Sequence, residues 1–359
     1  MNLIKNIIDE YNDMDFSDIH IREDKKLAFR YKGEILFTDY CINKSDIELF
    51  LKSIGCQELL SRLSFEKEID FIFEYRNYRY RANIFLHTKL VGISMRKISK
   101  IIKTVNELGL PKILLDMTKY SSGIVFITGP TGSGKTTTLA ALIEYINIHC
   151  KKHIVTIEDP IEYIFDSKES IITQREIKLD TDNFSNAIRS ALRQDPDIIV
   201  IGEIRDEETM KMAIRAAETG HLCFCTLHTL GGAETIERII GMFSFDEKSK
   251  IKHELTIVLR AIVSQRLILV DDEILPVIEL LLADKSVCTM IKEDKVNQIA
   301  NYIQTNISRG MISMDRDLIR LYNQNKISYE QLESYCIDIE HIKNISSKTV
   351  YFREEDSLF

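Results

Sequence analysis

Gly129-Pro130-Thr131-Gly132-Ser133-Gly134-Lys135-Thr136 fills the pattern GxxxxGK[ST]. Those residue types at that spacing bind polyphosphate. The glycines let backbone N–H groups turn inward around phosphate oxygens, and a helix opening directly after them adds its partial positive charge. Lys135 is long enough to reach β- and γ-phosphates, and the Thr136 hydroxyl is placed to ligate Mg²⁺. The predicted contacts to ATP are Gly129, Thr131, Gly132, Ser133, Gly134, Lys135, Thr136 and Thr137.

Three further stretches place reactive side chains where apolar runs stop. Ile154-Val155-Thr156-Ile157 ends in Glu158-Asp159-Pro160, two carboxylates halted by a proline. That suits Glu158 to serve as a general base orienting a water. Ile198-Ile199-Val200-Ile201 ends in Gly202-Glu203-Ile204-Arg205-Asp206. Here a glutamate stands where many phosphate-loop enzymes carry an aspartate, and its side chain is one methylene longer. Glu203 either meets Mg²⁺ through a water or polarises the attacking water. The third stretch, Cys225-Thr226-Leu227-His228-Thr229, closes on a histidine. A lone histidine there is ordinarily structural. Beside a phosphate loop and two strand-terminal glutamates, His228 is assigned to sensing the γ-phosphate, while His221 keeps a structural reading.

The elements that must hold these groups are legible around them. A phosphate loop works between a strand and a helix. Gly123–Thr128 is apolar and β-branched, as a buried parallel strand should be, and Thr137–Ile143 reads as the helix. Strands at 123–128, 153–158, 197–202 and 221–227 alternate with helical segments, which predicts a parallel sheet in an α/β domain over 118–280. After about 232 the chain reads as mostly helical, with 281–359 forming a helical C-terminal region and Arg353–Phe359 a frayed charged tail. Residues 1–98 read as a small α+β domain: a helix from Leu3 to Tyr11, a helix capped by Ser45, and strands at 69–75 and 78–85 joined by Arg76-Asn77. Residues 99–117 are the connector.

With 359 residues, 45% hydrophobic and 28% charged, the chain is long enough for two globular domains. The net charge of −8 argues against a dominant nucleic-acid surface, so no direct nucleic-acid partner is expected. No apolar run approaches the roughly 20 residues of a membrane span, and the acidic N-terminal stretch is not a signal peptide. Seven scattered cysteines without a CxxC pair imply a reducing compartment and no structural zinc. Cys223 and Cys225 are expected to pack on opposite faces of their strand.

Glu158-Asp159-Pro160, Asp195-Pro196-Asp197 with Gly202-Glu203-Ile204-Arg205-Asp206, and Thr219-Gly220-His221 with Thr226-Leu227-His228-Thr229 resemble the Asp box, Walker B and His box of secretion ATPases. These are the hexameric motors of type II secretion and type IV pili. Ser17-Asp18-Ile19-His20-Ile21 resembles the segment opening that family's PAS-like domain, so the likeness covers nearly the whole chain. It implies a RecA-like P-loop ATPase core behind an N-terminal PAS-like domain. Assembly ATPases usually carry an extra N-terminal domain and a tetracysteine insertion, neither of which is seen here. Met290–Gln298 is instead similar to the AIRNLIREGKTHQ motif of retraction ATPases: Ile291, Glu293, Lys295 and Gln298 agree, while Asp294 and Asn297 replace glycine and histidine.

The resemblance to the PilT-like retraction branch implies a cytoplasmic homohexamer, peripheral at the inner membrane, whose ATP hydrolysis drives pilus retraction and twitching motility. Its implied partners are the pilus inner-membrane platform protein and, as a further candidate, the pilus assembly ATPase. The rival readings are an assembly or type II secretion motor, a DNA-uptake translocase, and a nucleotide-binding regulator with little turnover. In that family, arginines of the PAS-like domain close over a nucleotide. Arg81 and Arg96 stand at the matching positions here, with Arg189 and Arg193 as weaker candidates.

Overall fold

The computed structural model describes residues 2–337 apart from 13, 15, 32, 77, 100 and 271–272. It divides into two compact units, Met1–Ile101 and Ile102–Phe359. The Arg76-Asn77 turn falls partly, and the Arg353–Phe359 tail wholly, outside the described residues.

The first unit runs α1 (Leu3–Glu10), β1 (Phe16–Arg22), β2 (Lys25–Tyr31), β3 (Glu34–Ile42), α2 (Lys44–Ser53), α3 (Leu59–Glu66), β4 (Glu68–Tyr75), β5 (Tyr78–His87) and β6 (Leu90–Ser99). Its six strands form one antiparallel sheet in the order β3-β2-β1-β6-β5-β4. Period-two alternation gives the sheet one apolar face, carrying Ile19, Ile21, Tyr80, Ala82 and Ile84. The apolar stripes of α1 and α2, such as Ile4, Ile8, Ile47 and Phe50, share that core. The cap of α2 is Asn43 and not Ser45. Asn43 has extended backbone, and its side chain accepts from the Asp46 N–H while the Asp46 carboxylate accepts from the Asn43 N–H, a complete capping box.

The second unit opens with a 3₁₀ segment, Lys112–Lys119, and continues β7 (Gly123–Thr128), α4 (Lys135–His149), β8 (His153–Glu158), β9 (Ile171–Glu176), α5 (Phe184–Ala191), β10 (Ile198–Ile201), α6 (Glu207–Glu218), β11 (Leu222–Leu227), α7 (Gly232–Gly241) and α8 (Phe245–Val258). There follow β12 (Leu259–Val270), β13 (Glu273–Leu282), α9 (Lys285–Lys292), α10 (Ile299–Thr305), α11 (Met314–Asn323) and α12 (Tyr329–Tyr335). The sheet order is β13-β12-β7-β11-β10-β8-β9, parallel except for the edge strand β13.

Two sequence expectations are corrected here. Within the mostly helical chain beyond 232, the sequence reading missed two long strands, Leu259–Val270 and Glu273–Leu282, which pair antiparallel and extend the sheet. Their apolar runs, Leu267-Ile268-Leu269-Val270 and Ile274-Leu275, carry no clean period to separate strand from helix. Cys223 and Cys225 also share one face. Residues two apart on a strand point the same way, and both thiols lie in one core with Ile124 and Phe126. The alternate residues Leu222, Phe224, Val125 and Ile127 fill the core on the other face. The central strands are thus covered on both sides, which leaves their carboxyl ends as the place for polar side chains. Among the described residues, no helix is long and apolar enough to cross a membrane.

Candidate active site at the carboxyl edge of the sheet

Four adjacent strands, β7, β11, β10 and β8, deliver the reactive groups to one edge, where ligands of open α/β sheets collect. The loop after β7 bends through left-handed glycines. Gly129 has φ 148°, and a Cβ there would lie 2.1 Å from the Gln265 carbonyl oxygen, so no other residue fits without moving β12. Gly134, at φ 82°, caps α4 without any side-chain hydrogen bond, so the first-turn N–H groups keep no side-chain acceptor among the described residues. The buried Ser133 hydroxyl has no hydrogen-bond partner among the described residues. The buried Lys135 ammonium donates to carbonyls of its own loop, Gly129 at 2.8 Å and Pro130 at 3.0 Å, and lies within hydrogen-bond reach, 3.5 Å, of His228 Nδ1. Burial holds its pKa below the usual lysine value against the opposing charges of Glu203 and Glu162. Uncapped N–H groups, a desolvated cation and an unpaired hydroxyl fit a polyphosphate chain.

Around Lys135 the strand ends form a charged chain. His228 Nε2 lies 3.3 Å from Glu203 Oε1, and Arg205 Nη2 donates to Glu203 Oε2 at 2.7 Å. His228 Nδ1 stands 3.5 Å from both Thr131 Oγ1 and Lys135 Nζ. This geometry fits a neutral ring whose Nε2–H donates to Glu203 and whose Nδ1 accepts from Thr131 or Lys135. Burial and the charge of Lys135 keep the His228 pKa low, which favours that neutral form. Burial opposes ionisation of Glu203, but its bond to Arg205 and the charges of Arg205 and Lys135 outweigh it and hold the carboxyl below the usual range.

Glu158 has the opposite environment. Burial raises its pKa and the charge of Glu162 adds to the rise. Hydrogen bonds from Thr156, Gln174 and the Glu162 backbone N–H oppose them without cancelling them. A Cβ at Gly202 would lie 3.1 Å from the Ile157 carbonyl and 3.2 Å from Glu158 Cα. The glycine before Glu203 therefore lets the ends of β8 and β10 close on each other. Thr136 and Glu158 line one small cavity of about 20 Å³ together with Thr156 and Tyr163.

The structure thus joins Thr131, Lys135, Glu203 and His228 directly and sets Thr136 and Glu158 beside one cavity. His221 instead closes the end of α6, with Nδ1 2.9 Å from the Ala216 carbonyl. Arg189 lies 3.8 Å from Glu208 on α6, and Arg193 donates to the Arg189 carbonyl, so neither joins the charged chain. Arg81 and Arg96 lie in the first unit, directly opposite each other on β5 and β6, exposed on the face away from its core. Arg96 Nε donates to Asp18 on β1 at 3.0 Å.

Sequence reasoning missed Arg205, Thr156, Gln174 and Tyr163. Arg205 stood inside the motif that carries Glu203 and could have been weighed. Gln174 lies in Ile171–Glu176, an edge strand whose pattern announces nothing. The retraction-like stretch also finds a conformation: Asp294 follows α9 at φ 60°, the left-handed position where the motif has glycine, and pairs with Lys252 of α8.

Residues 1–332 match the family described as "Type II/IV secretion system protein". The chain is 44% identical over 266 residues to a twitching motility protein of Neisseria gonorrhoeae, covering 73% of this chain and 71% of that one. It is 42% identical over 273 residues to the type IV pilus retraction ATPase PilT of Pseudomonas aeruginosa, covering 75% and 79%. The crystal structure of the pilus retraction motor PilT with bound ADP superposes with a TM-score of 0.86 at 36% identity, covering 96% of this chain and 99% of that one.

Proposed function

This chain belongs to the type II/IV secretion system protein family, and on that footing we propose that it is a motor coupling ATP hydrolysis to retraction of a type IV pilus. The observation that carries the reading is the charged chain Lys135–His228–Glu203–Arg205 at a phosphate loop, with a second, differently tuned carboxylate on the adjacent strand end.

ATP lies along Gly129–Thr137, its β- and γ-phosphates met by loop N–H groups and by Lys135. Thr136 would hold Mg²⁺, which would supply charge neutralisation at the phosphates; Glu203 would meet the metal through a water or polarise the attacking water. Glu158 accepts the proton as the water oxygen bonds to the γ-phosphorus and the bridging P–O bond to ADP breaks. His228, hydrogen-bonded between loop and Glu203, reports whether the γ-phosphate is present. Arg81 and Arg96 neutralise the transferring phosphoryl group from the first unit of a neighbouring subunit. The assembly is a homohexamer at the cytoplasmic face of the inner membrane, where it turns the pilus platform protein, with the pilus assembly ATPase as a further candidate partner.

Glu158→Gln should bind ATP and lose most turnover, because the amide keeps the shape and accepts no proton. Normal hydrolysis by that variant together with a dead Glu203→Gln would exchange the two roles. In cells, deleting the gene should leave extra surface pili. Cells without any pili would make the chain an assembly motor.

A further inference from the structure

The sheet edge beyond Glu158 carries polar side chains that no motif marks. Thr156 and Gln174 are register partners on β8 and β9, and both share a sheet face with Glu158, two residues after Thr156. The Thr156 hydroxyl, almost wholly buried, donates to Glu158 Oε1 at 2.7 Å. Gln174 is fixed at both ends of its amide. Its oxygen accepts from the Phe165 N–H at 3.0 Å, and its nitrogen donates to the Tyr163 carbonyl at 2.7 Å. A primary amide has two N–H groups, and with one spent on Tyr163 the other is turned toward Glu158 Oε1, 3.4 Å away. The same loop is tied to the phosphate helix, because the Tyr163 hydroxyl lies 3.2 Å from Thr137 Oγ1.

We propose that Thr156 and Gln174 are positioning residues for ATP hydrolysis, holding Glu158 by Oε1 so that Oε2 is the oxygen offered to the attacking water. This deepens the reading of Glu158 as the base and rests on it. The physical ground is asymmetry. Both side-chain donors converge on Oε1 and neither engages Oε2, while the Glu162 backbone N–H is a further donor to the carboxylate. A carboxylate held at one oxygen keeps its plane, and a base must hold its plane to take a proton in line. Gln174 adds a second consequence. Its amide is oriented by the 159–165 loop, and that loop touches the first turn of α4 through Tyr163 and Thr137, so the aim of the base and the seat of the phosphates share one hydrogen-bonded circuit. Nothing in a polar residue on an edge strand would otherwise require two backbone partners and a carboxylate.

The test uses the full-length protein with steady-state ATPase kinetics and binding of a fluorescent ADP analogue. Thr156→Val keeps the side-chain volume and removes the donor; Gln174→Met keeps the length and removes the amide. Each should lower kcat by about 10–100-fold, the scale of a base misplaced by less than an ångström, while KM and ADP affinity stay within about twofold. Thr156→Ser, which restores the hydroxyl, should recover most of the lost kcat. In the Glu158→Gln background, Thr156→Val should cost little more, because the group it positions has lost its function. Wild-type kcat in both variants, parallel loss of ADP affinity, Thr156→Ser as slow as Thr156→Val, or full additivity with Glu158→Gln would each overturn the proposal. If Glu158→Gln itself hydrolyses ATP like the wild type, it is the base assignment that has failed, a result distinct from those four.

Discussion

Gly202→Ala isolates the close approach of β8 and β10 without replacing any reactive side chain. The added Cβ would meet the Ile157 carbonyl oxygen at 3.1 Å, Glu158 Cα at 3.2 Å and Glu158 Cγ at 3.5 Å. The first two are tighter than ordinary contacts, and both belong to backbone that is hydrogen-bonded into the sheet, since the Gly202 N–H donates to the Ile157 carbonyl at 2.8 Å. The strand ends must therefore separate by a few tenths of an ångström, carrying Glu158 and Glu203 apart. Overpacking of this kind costs about 1–2 kcal/mol. For a unit of this size that lowers Tm by roughly 2–4 °C per kcal/mol. The catalytic effect should be larger in proportion, a fall in kcat of roughly tenfold, because displacements below 1 Å at reacting groups already cost that much. KM should change little, since Lys135 and the loop glycines stay in place. The assays are thermal unfolding and steady-state phosphate release on the same preparation. A variant with wild-type kcat and wild-type Tm would refute the claim that glycine is required for the two strand ends to close on each other.

Three more outcomes follow from the same geometry. Burial raises the Glu158 pKa, and the base works ionised, so the acid limb of the kcat profile should lie above the usual carboxylate range of about 4.3; a limb at or below that value would contradict the assignment. Asp294→Ala should destabilise by about 1 kcal/mol, because alanine tolerates the left-handed backbone less well than Asp or Gly, and equal stability of the Ala and Gly variants in denaturant melts would count against it. Arg81→Ala and Arg96→Ala should lower kcat strongly with little loss of ATP binding. Equal mixing of Arg96→Ala with Lys135→Ala subunits should restore part of the activity, since about a quarter of head-to-tail interfaces would then be complete, whereas mixtures as inactive as their components would exclude sharing between subunits.

The legible part of this chain is the part in which local chemistry and periodicity agree. Gly123–Thr128, Ile198–Ile201 and Leu222–Leu227 are buried on both faces, so their residues had to be continuously apolar, and each run stops where a reactive residue begins. Hence the strand-end placement of the phosphate loop, Glu203 and His228 could be read directly, as could that of Glu158 at the end of β8. What stayed hidden depends on contacts between segments. β9 is an edge strand with one mostly polar register, and β12 with β13 departs from alternation because α11 and α12 cover part of the hairpin, with Ile268, Val270 and Val277 sharing a core with Leu318 and Leu332. Asn43 outranks Ser45 as a cap only because Asp46 returns its hydrogen bond. Gln174 is invisible for the same reason: its importance lies in three partners from 158 to 165, none of which its own neighbours reveal.

The question of which glutamate is the base is one the sequence leaves open and the electrostatics address. Two carboxylates end neighbouring strands, and their surroundings push them apart. Glu203 faces Arg205, His228 and Lys135, a set of neighbours that favours its charged form. Glu158 is buried beside the like charge of Glu162, and these raise its proton affinity against the hydrogen bonds from Thr156, Gln174 and the Glu162 N–H. A carboxylate whose proton affinity is lowered by nearby cations is suited to hold a metal's water shell and is a poorer proton acceptor, while a carboxylate with raised affinity gains more from taking a proton. Lys135 and Arg205 also compete for Glu203 in different ways. A γ-phosphate drawing Lys135 to itself would leave Arg205 as the cation that keeps Glu203 charged. The division of labour proposed for the two acids therefore rests on their neighbours: the positive charge assembled around Glu203 and the near absence of it around Glu158.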